Sequence, residues 1–164
     1  MEKVNIYLYS SIRGRTGNGI GIYILEAPDV TPTEKKSNVL TRMIDVEGTK
    51  SKCQLLVMKS ALERFKRPSN LHIFVDDNLF LREVIEFLPK WIKNGFKTTM
   101  GTEVRNKDLW QQVWDLLRCH VYELEYSKEH KYYKWQQFEA ERRMNGRTDK
   151  NGHRQSDSIS KGTA

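Results

Sequence analysis

Three groups of residues have the types and spacing to do chemistry. The first is Gly14-Arg15-Thr16-Gly17-Asn18-Gly19. Glycine-rich loops cradle phosphates when Gly-Lys-Ser/Thr follows, and bind dinucleotides when the loop opens a helix. Neither condition is met, because a strand-like run follows and no Gly-Lys-Ser/Thr occurs. A hairpin turn is the plain reading. The second group is Asp76-Asp77-Asn78, at the end of a short β-rich run. Such side chains suit a helix N-cap, where an oxygen accepts a backbone N–H. The third is the stretch from Lys90 to Lys107, with Lys90, Lys93, Lys97, Arg105 and Lys107 against Glu103 and with Trp91 and Phe96 between them. Lysines and arginines neutralise phosphate and release counterions. Aromatics stack on bases or pack on sugars. The competing reading has Trp91 and Phe96 anchoring the segment to the core and the lysines forming a solvated face. Trp110 and Trp114, at i and i+4, read as core.

These groups must be carried by definite elements. Val4, Ile6 and Leu8 alternate with Asn5, Tyr7 and Tyr9, the period-2 pattern of a strand. After the glycine turn, placed at Arg13 to Gly19, Ile20 to Leu25 and Val39 to Val46 read as further strands. Helical spacing begins near Ser51 with Leu55, Met58, Leu62 and Phe65, and Pro68 stops it. Leu71 to Val75 is a strand. Phe80, Val84, Phe87 and Leu88 share a helical face, and Pro89 suits the first turn of a new helix. Lys93 to Asn106 is an exposed excursion. Asn106 is placed as N-cap of a helix bearing Leu109, Val113, Leu116 and Leu117. His120 to Tyr126 is a strand, and Tyr132 to Met144 a last helix. The order βββαβααβα predicts an α/β fold, with three antiparallel strands followed by two added in parallel. Residues 1–144 make one domain, and 145–164 is expected to be a disordered polar tail.

Composition removes several classes. The chain has 164 residues, a formal net charge of +7 and 10% aromatics. That suits one domain with a real core, and a basic surface that attracts phosphate or acidic partners. No apolar run approaches the ~18 residues of a membrane helix, so no membrane partner is expected. Cys53 and Cys119 are too few and too far apart for a disulfide framework or a zinc site. With no leader-like start, a cytoplasmic protein with reduced, buried thiols is expected.

The element order and several local strings resemble type 1 ribonuclease H. The strings are Ala61-Leu62-Glu63, Ile73-Phe74-Val75-Asp76-Asp77-Asn78, Trp91-Ile92-Lys93-Asn94-Gly95-Phe96-Lys97-Thr98, Val104-Arg105-Asn106-Lys107-Asp108-Leu109-Trp110 and Lys128-Glu129-His130. The resemblance covers about 140 residues, in keeping with the size of one domain. It implies a ribonuclease H-like mixed five-stranded sheet flanked by helices. It also implies chemistry by four carboxylates holding two Mg²⁺ ions that activate water and stabilise the leaving oxygen. Carried over position by position, the first acid falls at Tyr9, the second at Gln54, the third at Asp76 and the fourth at Ala140. The histidine assisting product release falls at His130. Catalytic positions retained are thus Asp76 and His130, and Asp76 is the metal candidate. Glu139 and Glu141, about 100° around a helix from position 140, point elsewhere.

The resemblance further implies nucleic-acid contacts from Lys90, Lys93, Lys97, Arg105 and Lys107 in the basic protrusion, and from Arg15, Lys50 and Asn78. Arg15 and Lys50 stand where the family carries asparagines that read the RNA strand. Three readings follow. One is a nuclease-inactive domain that binds RNA–DNA hybrid or duplex and needs no cofactor. A second is an active Mg²⁺- or Mn²⁺-dependent ribonuclease H with rearranged ligands. A third is a module that docks a protein partner or a second copy through a face bearing Tyr7 and Tyr9, since exposed tyrosines suit interfaces. Asp76 has a structural reading as well, as a helix N-cap or as acceptor for the Tyr9 hydroxyl. His130 reads equally as a relic or as a loop histidine on phosphate.

Overall fold

Alternation along β1 (Glu2–Ser10) sends Val4, Ile6 and Leu8 into one apolar cluster and Tyr7 and Tyr9 into another. Successive side chains of a strand point to opposite faces, so this strand is covered on both. It pairs antiparallel with β2 (Gly17–Glu26), and β2 pairs antiparallel with β3 (Val39–Gly48). On its other side β1 takes β4 (Ser69–Val75) in parallel, and β4 takes β5 (Val121–Tyr126) in parallel. The sheet order is β3-β2-β1-β4-β5, the mixed five-stranded arrangement expected. The computed structural model describes residues 1–14 and 16–152, with 147–152 as helical backbone.

Helix α1 (Lys50–Leu62) starts where Thr49 Oγ1 accepts the Lys52 N–H at 3.2 Å. It buries Leu55, Val57, Met58 and Leu62 on the sheet face that carries Leu8 and Ile73. Helix α4 (Lys107–Leu117) packs beside it through Trp110, Val113 and Leu117, with Trp114 half-buried against the same cluster. Helix α5 (Tyr133–Gly152) crosses the opposite face. Tyr133, Gln136 and Ala140 recur at helical spacing and are buried over Ile20, Ile22 and Ile24.

Some local expectations shift. The glycine turn is shorter than Arg13 to Gly19, because β2 takes in Gly17–Gly19. Strand pairing is possible there since Gly19 has no Cβ, which would lie 2.4 Å from Ser11 Oγ and 2.7 Å from Ile12 Cδ1. Asn106 precedes α4 in the left-handed region (φ 61) and makes no side-chain cap, so the carbonyl rather than the amide meets the helix, accepting from Trp110 N–H. The helical stretch from Asn78 to Lys93 is one kinked run. Helix α2 (Asn78–Arg82) passes through a π turn (Glu83–Phe87) into α3 (Leu88–Lys93). Pro89 has no N–H, and its ring clashes with the carbonyl a turn before it. The wider π turn, with Leu88 N–H on Glu83 O, relieves that crowding.

The last helix, α5, runs Tyr133–Gly152, past the boundary expected at Met144. A helix once nucleated gains one hydrogen bond per added residue, so polar residues continue it beyond the core. Residues 153–164, in the tail expected to be disordered, lie outside the described residues. Cys53 is buried as expected, whereas Cys119 is exposed at the end of α4 because it follows the buried face.

Helix α1 approaches the sheet closely at Gly21. A Cβ there would lie 2.3 Å from Val57 Cγ2 and 3.2 Å from Val46 Cγ1. Valine in a helix has one strongly preferred rotamer and cannot turn away. Gly21→Ala is expected to destabilise the domain by about 1–3 kcal/mol, read as a lower urea midpoint at unchanged slope. An unaltered midpoint would show that α1 rides loosely on β2.

Candidate nucleic-acid interface

The parallel register sets the first group of residues. Tyr7 pairs with Phe74, so two residues further on Tyr9 and Asp76 come level at the carboxyl ends of β1 and β4. Asp76 is buried there. Its Oδ2 accepts from Arg13 Nη2 at 3.1 Å and from the Tyr133 hydroxyl at 3.0 Å. The Arg13 guanidinium lies over the Tyr9 ring, 5.0 Å from its centroid, and Tyr133 meets Tyr9 edge-on at 5.7 Å. Burial would weaken the Arg13 proton, but the Asp76 charge and Tyr9 outweigh it and push its pKa up. Burial, and then Asp76, push the Tyr133 hydroxyl well above its ordinary value, so it stays a donor. Asp76 thus accepts from the Tyr133 hydroxyl where Tyr9 was the expected donor, and the cap is Asp77, not Asp76. Asp77 is in extended backbone (φ −138, ψ 117), and its Oδ1 accepts from Leu79 N–H at 2.9 Å. Its Oδ2 pairs with Lys50 Nζ at 3.3 Å. Burial alone would raise the Asp77 carboxyl, but Leu79 N–H and Lys50 hold it below the usual range.

Gln54 enters this pocket from α1. Its Oε1 is buried and makes no hydrogen bond. The space beside Tyr9, Gln54 and Asp76 amounts to about 10 Å³, the minimum for one water. Ala140 presents only a methyl group, one turn and more beyond Tyr133 on the buried side of α5. Glu139 is turned away and pairs with Arg142 at 2.7 Å, and Glu141 is exposed. Two Mg²⁺ ions require a set of oxygen ligands, preferably charged. Among the described residues no three His, Cys, Asp or Glu side chains are grouped to hold a metal ion. The two carboxylates at the strand end already face Arg13 and Lys50. These residues do not fit the ion pair.

His130 precedes α5 in an aromatic cage, with ring centroids 4.7 Å from Tyr7 and 5.7 Å from both Phe74 and Tyr133. Its Nδ1 accepts from Tyr132 N–H at 3.1 Å. Burial lowers its pKa against the smaller opposing pull of Asp76, so the neutral ring is favoured. The cage is held from below by Glu26, a buried carboxylate on β2. It accepts from Tyr7 OH at 2.9 Å, Tyr132 OH at 3.1 Å, Asn5 Nδ2 at 3.2 Å and the Lys131 ammonium. Tyr7 and Tyr9 are therefore buried, and they are not the exposed tyrosines expected of a docking face. They turn inward because α5 lays its Tyr133–Ala140 side over that face of the sheet.

In the basic segment, Trp91 packs edge-on to Trp110 at 5.2 Å and Phe96 is buried, so the aromatics are anchors. Phe96 adopts φ 60 and donates its N–H to Trp91 O, and Val104 N–H closes on Phe96 O at 3.0 Å. Lys90, Lys93, Lys97 and Arg105 are exposed, while Lys107 pairs with Glu103 at 3.1 Å. Asn78 is exposed at the start of α2, and Lys50 is drawn to Asp77. Arg15 lies outside the described residues. Arg13 and Tyr133 escaped the sequence reading. Their only signal is position, just beyond β1 and at the first turn of the last helix.

A mixed sheet of this order, with helices on both faces, defines the ribonuclease H fold. A crystal structure of LC9-RNase H1, a type 1 RNase H with the type 2 active-site motif, superposes with a TM-score of 0.66 at 17% identity over 89% of this chain and 74% of that one. A foamy viral protease-reverse transcriptase in complex with RNA/DNA hybrid superposes at 0.51 and 12% identity, over 76% of this chain and 17% of that chain. The chain belongs to the RNase H family, whose sequence profile matches residues 1–152. Ribonuclease H of Acetivibrio thermocellus is 31% identical over 128 residues, 73% of this chain and 78% of that protein.

One further acid borders this region. Glu83 Oε1 is buried without a partner, and burial, with the Asp77 charge second, pushes the carboxyl up to about 7. A raised folded pKa means the folded state holds the proton more tightly. The stability this contributes is complete below the ordinary value of 4.5 and is lost as pH rises through about 7. Partial exposure reduces the full conversion to roughly 1–2 kcal/mol. Glu83→Gln should therefore raise the denaturation midpoint above neutrality and leave it unchanged in acid. An equal gain at both ends would remove Glu83 as the titrating group.

Proposed function

We propose that this domain binds RNA–DNA hybrid or duplex through its cations and does not cleave it. The observation that carries this reading is the pairing of Asp76 with Arg13 in a pocket closed by the Tyr9 ring. A hydrolytic two-metal centre needs ionised oxygens converging on two divalent ions. Here a phenol, an amide and a methyl group stand at three of the four positions that the family resemblance assigns to acids. The fourth position already has a cation built from the chain. Binding needs none of that machinery. The exposed Lys90, Lys93, Lys97 and Arg105 sit on a segment anchored by Trp91 and Phe96. A fixed projection of like charge neutralises phosphates by counterion release, without reading sequence. Membership of the RNase H family supports a nucleic-acid partner, and the foamy viral neighbour was solved with an RNA/DNA hybrid.

The test is titration of the full chain against hybrid, double-stranded and single-stranded oligonucleotides over a range of salt, with Mg²⁺, with Mn²⁺ and with chelator. Expected are salt-dependent binding that chelator does not change, and intact oligonucleotide after incubation with either ion. Charge reversal of Lys93, Lys97 and Arg105 should flatten the salt slope by about one unit per lost phosphate contact. Metal-dependent cleavage that Asp76→Asn abolishes would establish an active nuclease with rearranged ligands instead. Binding without salt dependence would remove the protrusion as the contact surface.

A further inference from the structure

Asp76 is buried and Asp77 half-buried at the end of β4, and each has a more exposed cation as its partner. In the Arg13–Asp76 pair, the arginine side chain is 42% exposed and the aspartate 4%. In the Lys50–Asp77 pair, the lysine is 36% exposed and the aspartate 14%. Solvent therefore meets the positive member of both pairs. Asp76 and Asp77 follow β4 in succession, Asp77 in extended backbone, and their side chains reach different elements. Asp76 reaches Tyr133 of α5, and Asp77 reaches Lys50 of α1. The two cations thus flank one strand end.

Arg13 is the better equipped of the two. A guanidinium carries five N–H donors in a planar fork, and one nitrogen is committed to Asp76. Its central carbon lies over the Tyr9 ring, 5.0 Å from the centroid, and the attraction of cation to ring helps to hold it there. The remaining donors match the paired oxygens of a phosphodiester. The buried Asp76 positions the guanidinium in advance, so little side-chain freedom is left to lose on binding.

We infer that Arg13, with Lys50 beside it, forms a metal-free phosphate site at the carboxyl end of β1 and β4, taking a backbone phosphodiester of the bound nucleic acid. The inference rests on the nucleic-acid reading above and names a second contact surface, distinct from the basic segment after α3. Charge of the chain's own making serves here as the counter-charge to phosphate. Buried Asp76 serves to orient Arg13, and it competes with phosphate for the same guanidinium.

The test measures affinity of the full chain for a short RNA–DNA hybrid by fluorescence anisotropy, in chelator, at several salt concentrations. Arg13→Gln should weaken binding roughly five- to tenfold and make the salt slope shallower by about one unit. Arg13→Lys, which keeps the charge and loses the fork, should recover part of the affinity. Asp76→Asn keeps an amide oxygen to accept from Arg13 and so preserves its orientation, while the competing charge is gone, so affinity should rise. Lys35→Gln, an exposed cation on the loop between β2 and β3, measures the effect of net charge alone and should cost much less. Thermal melts accompany every variant. If Arg13→Gln fails to fold, Arg13→Lys and Asp76→Asn carry the test. The inference is overturned if the parent chain binds with salt dependence, charge reversal at Lys93, Lys97 and Arg105 weakens it, and Arg13 variants bind normally. It is equally overturned if Asp76→Asn weakens binding, or if Lys35→Gln costs as much as Arg13→Gln. Absence of salt-dependent binding by the parent chain is a different result, and removes the nucleic-acid reading itself together with this site.

Discussion

A carboxylate buried at the meeting point of β1, β4 and α5 has to be compensated, and the structure around Asp76 is arranged by that requirement. An uncompensated charge in such a place costs several kcal/mol. Divalent ions can supply the compensation, or the chain can. Here Arg13 and Tyr133 supply it. Arg13 comes from the connection that leaves β1, and Tyr133 from the first turn of α5. One acid therefore fixes the start of the β1–β2 hairpin and the entry of the last helix. Tyr9 fills the space between them with a ring that suits both neighbours, its face to the guanidinium and its edge region to Tyr133.

Glu26 repeats the solution further back along the strands, against the residues that lead into α5. It is buried on β2, and the register Asn5↔Glu26 sets it four residues back from the level of Tyr9 along β1, about 13 Å away. Burial raises its pKa, but the hydrogen bonds from Lys131, Asn5, Tyr7 and Tyr132 together hold it below the ordinary value. Lys131 and Tyr132 belong to the connection from β5 to α5, so this carboxylate sews that connection onto β1 and β2. The aromatic cage of His130 is a consequence. Tyr7 is held by Glu26 and stacks on Phe74 with ring centroids 4.7 Å apart, and the histidine ring settles against both. Helix α5 is thus positioned by two buried acids at its entry, one in line with each half of β1.

What the sequence made legible follows from range. Period-2 and helical spacing are local, so the strands, helices and five-stranded order could be read directly, as could the helix-capping role of the acidic turn. Of the four positions that the resemblance assigns to acids, Asp76 sits in one of the strings that carry it, whereas Tyr9, Gln54 and Ala140 were placed by carrying the family's positions along their own elements. Arg13 was not, since its partner is 63 residues away, and Tyr133 reaches the same carboxylate across 57. Nothing local marks an arginine after a strand as part of a pocket. The burial of Tyr7 and Tyr9 was hidden for the same reason. A strand with tyrosines on one face reads as half-exposed until a distant helix is known to cover it. The left-handed Asn106 and the continuation of α5 beyond Met144 were missed differently. Residue type there permits more than one backbone, and tertiary context chose.

Fixed cations and bound metal ions answer phosphate in different ways, and this separates what the fold provides from what a ligand set adds. A metal site depends on the ion's concentration and on deprotonated ligands. A guanidinium is charged at every accessible pH and is lost to neither chelator nor dilution. Its reach, however, is that of a side chain in partial contact with water, where salt screens it. Arg13 lessens that weakness by lying on an aromatic ring and over a buried carboxylate, since pairs removed from solvent are screened less. The cations of the segment after α3 have no such support and are screened more fully. The same chain therefore holds two kinds of positive charge, an exposed set that salt screens fully and a seated pair, Arg13 on Asp76 and Lys50 on Asp77, that it screens less.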